Sequence, residues 1–249
     1  TFIMQNIAAN LGGMLTPFGN PQNLYLYSRF SIPAGDFVSI MLPPFVLAVA
    51  MIVFCCLVFV PAAPLTIEGE KPRLPAARTA ALLALFAYSI VIVFRVIPYW
   101  TGLIVIPLAL LLLDRKALLH VDYALLGTFA AFFVFAGNMG RIGWVRSFFA
   151  SLLEKNTMLV SVLSCQFISN VPSAILLSQF TDNYPALLVG VNIGGCGTII
   201  ASLASLITFR SYLCNDPAHG KRYFALFSTF NFAFLILLCA AMTLWNALV

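Results

Sequence analysis

Two short runs in this chain place amide, hydroxyl and glycine residues inside otherwise apolar sequence, and they share one pattern: Asn10-Leu11-Gly12-Gly13-Met14-Leu15-Thr16 and Asn192-Ile193-Gly194-Gly195-Cys196-Gly197-Thr198. A Gly-Gly pair beside Asn and Thr weakens a helix. Lipid offers no water to replace lost backbone hydrogen bonds, so such breaks persist only where they are buried in protein or line a cavity. The first copy leads into Pro17, Gly19, Asn20, Pro21, Gln22 and Asn23, and the second into Ala201, Ser202 and Ser205. Neutral amide and hydroxyl oxygens, with carbonyls freed by unwinding, can replace the hydration shell of a cation, while half-helix N-termini offer N–H groups to an anion. One site can hold both. A third polar run, Ser169-Asn170-Val171-Pro172-Ser173, separates two apolar stretches of about a dozen residues each, too short to cross a bilayer that takes roughly 20. That spacing predicts a re-entrant helical hairpin over 157–181 with a polar tip.

These runs need a membrane scaffold, and the composition supplies it. Hydrophobic residues make up 62% of the chain and charged residues 8%, against roughly 25% charged in soluble domains. The expected fold is therefore an all-α integral membrane protein. The apolar runs predict a broken span at 1–30, a span at 37–60 entered through Pro43-Pro44, and spans at 79–97, 101–113, 122–139 and 223–248, with a tight reversal at Pro98 to Gly102. A second broken span lies at 186–209. The segment 140–156 carries Arg141, Arg146, Glu154 and Lys155 and suits the interface rather than the bilayer core. Loops 61–78, 114–121 and 210–222 hold eight of the thirteen Lys and Arg residues. Placed in the cytoplasm, they run the two Asn-x-Gly-Gly copies in opposite directions, as in an inverted-repeat transporter; Arg141, Arg146 and Lys155 then fall outside. The division that follows is 1–64 as the C-terminal part of a first repeat, 65–78 as a cytoplasmic linker and 79–249 as a complete second repeat. The chain is expected to open inside an element and to lack the N-terminal part of the first repeat.

Other chemistries find little support. The net charge of +5 is spread over short loops without the basic stripe that nucleic acid requires. Cys55, Cys56, Cys165, Cys196, Cys214 and Cys239 lack metal or redox spacing. His120 and His219 fall in loops away from any nucleophile, and the Gly190–Gly197 run lacks the strand and ribose-binding acid of a nucleotide site. No enzyme and no resident cofactor is expected. Asn20-Pro21 has no second copy, as a water-channel reading would need. Asp36, Glu68, Glu70, Asp114, Asp122, Glu154, Asp182 and Asp216 all lie in loops or at span ends, which favours a cation held by neutral oxygens over a buried proton relay. Arg29, Arg95, Arg141 and Arg146 suit either snorkelling at the interface or attraction of anions to the outer mouth, and Tyr25, Tyr27, Tyr99, Trp100, Trp144 and Trp245 suit interface anchors.

The run from Asn10-Leu11-Gly12-Gly13 through Thr16-Pro17-Phe18-Gly19-Asn20-Pro21-Gln22-Asn23, with Ser169-Asn170-Val171-Pro172 and Gly190-Val191-Asn192-Ile193-Gly194-Gly195, resembles the ion-transporter superfamily of citrate transporter-like permeases, divalent anion:sodium symporters and arsenite permeases. The resemblance covers essentially the whole chain. It implies two re-entrant hairpins with Ser-Asn tips, each followed by an unwound helix, around a shared site. Ser169 and Asn170 then stand for one hairpin tip, Gly194, Gly195 and Thr198 for its adjacent turn, and Gly19, Asn20, Pro21 and Asn23 for the matching turn of the first half. Asn10, Thr16 and Asn192 join them as expected binding residues, with a coupling sodium ion near Ser169, Asn170, Gly194 and Thr198. The implied function is a cation-coupled, alternating-access secondary transporter of a citrate- or dicarboxylate-like anion in the plasma membrane, coupled to Na+ or H+, in contact with lipid and homodimeric. Val171-Pro172 stands where sodium-dicarboxylate carriers continue with Thr, which leaves an arsenite-type or other inorganic-anion permease as the alternative, beside a non-transporting assembly subunit.

Overall fold

The computed structural model describes residues 2–60 and 75–248, and these fold as helices and short turns. Most of the expected linker 65–78, including Glu68, Glu70, Lys71 and Arg73, lies outside the described residues. The chain divides into two compact units, one of Thr1–Pro61 and Phe129–Val249 and one of Ala62–Thr128.

In the larger unit, α1 (Phe2–Gly12) ends in one 3-10 turn at Gly13–Leu15. After a non-helical stretch, α2 (Pro21–Arg29) begins with Pro21 in its first turn, where its missing N–H costs nothing because that group has no intrahelical partner. The long α3 (Ala34–Phe59) follows. Pro43 and Pro44 lie in its interior rather than at its entry. Proline is tolerated inside membrane helices because neighbouring elements re-satisfy the freed carbonyls, and Pro44 is buried here.

The smaller unit holds α4 (Ala76–Val93), α5 (Tyr99–Leu113), the short α6 (Arg115–Leu119) and the start of α7 (Tyr123–Met139). Its reversal falls at 94–98, earlier than the Pro98–Gly102 expected, and Gly102 is inside α5. There it meets α4: a Cβ on Gly102 would sit 2.7 Å from Ile92 Cδ1. Tyr88 donates to Thr101 Oγ1 at 2.7 Å across the same pair, and Arg78 pairs with Asp114.

Back in the larger unit, α7 and α8 (Gly143–Ile168) meet at 97°. The expected interfacial segment and the first hairpin arm form this one helix, broken at Asn156, whose φ of −164° and ψ of 92° are non-helical. Asn156 Oδ1 accepts from Leu159 N at 2.9 Å, so Asn156 caps the arm that follows. The chain turns over at Ser169 and returns as α9 (Asn170–Leu177), giving the expected hairpin. The second broken span consists of α10 (Tyr184–Ile193), a non-helical stretch with one 3-10 turn at Ile199–Ala201, and α11 (Leu203–Asn215). The last helix is α12 (Gly220–Leu248). Among the described residues three helical segments, Ala34–Phe59, Ala76–Val93 and Pro217–Leu248, are each long and apolar enough to cross a membrane. The protein is an all-α integral membrane protein.

Candidate functional site

Both Asn-x-Gly-Gly segments are broken, at different offsets. In the second, α10 stops at Ile193 and the break opens at Gly194. In the first, helix persists through Gly12 and the 3-10 turn, and the break runs from Thr16 to Asn20. The delay follows from the amide that supports this stretch. Asn23 Nδ2 lies 3.2 Å from each of the carbonyl oxygens of Gly13, Met14 and Thr16, holding the unwound end as water would elsewhere. Gly13 and Gly19 are pressed together: a Cβ on Gly19 would lie 2.2 Å from Gly13 O, and one on Gly13 would lie 2.4 Å from Asn20 Oδ1. Thr16 closes the turn, its carbonyl accepting from Gly19 N at 3.2 Å.

The second break is held from outside, by a residue that sequence reasoning missed. Gln166, on the first hairpin arm, donates to Gly194 O at 2.9 Å and Cys196 O at 3.0 Å. Its Oε1 accepts from Thr198 N at 2.9 Å, and its carbonyl accepts from Thr198 Oγ1 at 3.0 Å. Gly197 has φ of +112°, and a Cβ there would lie 2.2 Å from Gln166 Oε1, so the glycine serves both the backbone turn and the approach of Gln166. The available signal was a lone amide in an apolar arm, one helical turn before the Ser-Asn tip.

The two breaks face each other through Asn192, which is 1% exposed. Its Oδ1 accepts from Asn20 at 3.3 Å and Gln22 at 3.2 Å, and its Nδ2 donates to Asn23 Oδ1 at 2.6 Å and Leu188 O at 2.8 Å. Those four bonds saturate the amide. Asn20 also donates to Asn10 O at 2.9 Å. Gln22, placed in the polar run but not among the expected ligands, is thus part of the junction.

At the hairpin tip Ser169 adopts φ of 74°, a strained backbone for a residue with a Cβ, of the kind that persists where surrounding structure over-determines it. Its hydroxyl donates to Ala201 O at 3.3 Å. Asn170 Oδ1 accepts from its neighbour Val171 N at 2.9 Å, whereas its Nδ2 has no acceptor among the described residues. That Nδ2 lies 3.1 Å from the point where a Cβ on Gly195 would be, and Asn10 Oδ1 lies 3.7 Å from the same point. Asn10 donates to Gly195 O at 3.4 Å and Ser205 Oγ at 3.5 Å, and its Oδ1 accepts nothing among the described residues. Thus an uncommitted donor and an uncommitted acceptor both lie within 4 Å of the position that a side chain at Gly195 would fill, with Asn192 O 3.3 Å from the same point. Neither atom is sealed inside the protein. The structure therefore brings together Asn10, Thr16, Gly19, Asn20, Pro21, Asn23, Asn192, Gly194, Gly195, Thr198, Ser169 and Asn170. Among the described residues no group of three His, Cys, Asp or Glu side chains could hold a metal ion.

The sequence matches the citrate transporter family over residues 2–193. It is 32% identical over 238 residues to the uncharacterized transporter MJ0456 of Methanocaldococcus jannaschii, covering 96% of this chain and 65% of that protein. It is 31% identical over 225 residues to the inner membrane protein YbiR of Escherichia coli, covering 86% of this chain and 58% of that one. The chain thus spans less than two thirds of the length of either relative. No solved structure matches it.

Proposed function

This chain belongs to the citrate transporter family, and from that premise we propose that it forms much of the transport core of a secondary transporter that moves a small citrate- or dicarboxylate-like anion with a coupling cation by alternating access across the plasma membrane. One observation carries the reading: the uncommitted Asn170 Nδ2 and Asn10 Oδ1 beside Gly195, in a network whose central amide, Asn192, is saturated. Because neither atom is sealed off, both remain open to a ligand. The donor suits a carboxylate oxygen and the acceptor a cation. The start of α9 at Asn170 adds the partial positive charge of a helix N-terminus on the anion's side. The hydroxyls of Ser169 and Thr198 and the Gly194 carbonyl each keep a lone pair for the cation, and the opposed break at Thr16–Asn20 gives the inverted-repeat arrangement its second half.

Val171 at the tip favours the second reading, an inorganic-anion permease of the arsenite type, since it supplies no hydroxyl beside Asn170. Uptake by the full-length protein in proteoliposomes separates the two. Labelled citrate, succinate, arsenite and phosphate are compared under an imposed Na+ gradient, an H+ gradient and none. Citrate or succinate accumulation that follows a cation gradient is expected. Arsenite uptake alone moves the assignment to the second reading, and no accumulation of any of the four leaves an assembly role.

A further inference from the structure

Beyond the breaks, a second polar cluster lies where α1, α11 and α12 meet. Asn6, 1% exposed, sits one turn before Asn10 on the same face of α1. Its Nδ2 donates to Ser205 Oγ at 3.2 Å and Asn231 Oδ1 at 3.4 Å. Asn231 and Ser205 are themselves fully buried. Asn6 Oδ1 is sealed from solvent and has no hydrogen-bond partner among the described residues.

Turning the Asn6 amide over does not remove the deficit. Asn231 Nδ2 is committed to Phe227 O at 2.9 Å, so Asn231 presents its oxygen to Asn6, and Asn6 must answer with its nitrogen. A flip would instead bring Asn6 Oδ1, Asn231 Oδ1 and Ser205 Oγ together, with one Ser205 hydroxyl proton to share between the two amide oxygens and Ser202 Oγ 2.9 Å beyond Ser205. A cation at the centre serves all of these oxygens at once. In the observed state the NH2 group of Asn6 occupies that position, through bonds of 3.2 and 3.4 Å that are longer than the usual 2.9–3.0 Å.

We propose that Asn6, Asn231, Ser205 and Ser202 form a second cation site, separate from the hairpin tip, for a monovalent alkali ion of the Na+ class. The chemistry selects the class. An orphaned acceptor excludes an anion, the absence of any carboxylate from the four disfavours a divalent ion, and hard neutral oxygens exclude soft metals. The site adds to the proposed cation coupling and rests on that reading for its role. It communicates with the candidate binding site through one hydroxyl: Ser205 Oγ accepts from both Asn6 and Asn10, and Asn10 reaches Gly195 O. An ion that rotates Asn6 and takes Ser205 Oγ as a ligand competes with Asn10 for that oxygen.

The test is thermal unfolding of the purified full-length protein in detergent, titrated with NaCl, LiCl or KCl at ionic strength held constant with choline chloride. A ligand that binds only the folded state raises Tm with its concentration. In wild type at least one alkali ion is expected to raise Tm above the choline baseline. Asn6→Leu and Asn231→Leu should raise the half-saturating concentration at least tenfold, while Gly35→Ala, whose added methyl lies in open space away from both sites, leaves the response within twofold. Asn6→Asp, which puts a carboxylate at the same point, should unfold early in choline and be rescued by the alkali ion at a concentration below the wild-type half-saturation. An alkali-ion response that is absent from wild type, or unchanged in all three Asn6 and Asn231 variants, overturns the site. Cation-driven uptake that survives such a result would leave the transport assignment standing, and a Tm response without uptake would do the reverse.

Discussion

At the scale of the residue, chemically identical amides divide into those that hold the fold and those with capacity to spare. Asn192 makes four bonds and has no donor or acceptor left, so Asn192→Leu should lower stability by roughly 1–3 kcal/mol for each partner left unsatisfied, read as a fall in Tm with or without substrate. Asn170 is different. Asn170→Asp keeps the oxygen that caps Val171 N and replaces the uncommitted NH2 with a negative oxygen facing Gly195. Tm in the absence of substrate should stay near wild type, while the apparent affinity for an anionic substrate in uptake falls by about 10-fold or more, the loss of at least 1.4 kcal/mol. Equal losses in both variants by both measurements would erase the distinction between framework and ligand amides.

At the scale of the element, the two breaks are solved by different means. The first is held by Asn23 from within its own broken span, whereas the second depends on Gln166 from the hairpin. Gln166→Leu should therefore uncouple α8 from the α10–α11 break, leaving the carbonyls of Gly194 and Cys196 and the Thr198 N–H without partners, and it should cost more than Asn170→Asp in the same melt. Packing of α10 on α8 is equally close at Gly190, where a Cβ would lie 2.6 Å from Met158 O and 2.7 Å from Ser161 Cβ. Because the first of these is backbone, Gly190→Val must move a helix, at about 1–3 kcal/mol for overpacking. Gly35→Ala is the control: no heavy atom lies within 4 Å of the added methyl, and Tm should hold or rise.

At the scale of the whole molecule, every interaction that defines the candidate site falls within the larger compact unit, which joins chain from both sides of Ala62–Thr128. That grouping joins sequence the repeat-based division had separated. The helical membrane architecture was legible from composition and span length, and the hairpin from two apolar runs too short to span. The breaks were legible because glycine and amide side chains are costly in lipid unless used. What the sequence hid was pairing. Asn6, Gln166 and Asn231 each lie in mainly apolar helix, and only the tertiary fold shows that two of them meet and the third reaches the break. Pro43-Pro44 misled in the opposite sense, since the local preference for a helix start yields when α3 is packed in the unit. Outside the membrane segments, Asp216 is held below the usual carboxylate range, chiefly by its hydrogen bond with His219. An Asp with a depressed pKa lends stability that is present above its unfolded value and lost as pH falls through the folded one. With the site built from neutral groups, uptake at a fixed Na+ gradient, normalised to the concentration of one ionisation state of the substrate, should be flat between about pH 6 and 8, well above that window. A bell-shaped profile that survives this normalisation would require a titrating group at the site.

The contact between α8 and the second break also makes the protein its own clock. Gly194 has no side chain, and a Cβ there would lie 2.8 Å from Cys165 Sγ, so the fully buried thiol is covered by bare backbone. Alkylating reagents can reach it only while hairpin and broken helix stand apart. With Cys55, Cys56, Cys196, Cys214 and Cys239 changed to Ala, the modification rate of Cys165 by a membrane-permeant maleimide measures how often they separate. Saturating substrate should change that rate if the separation belongs to the transport cycle, and leave it alone if the hairpin is fixed.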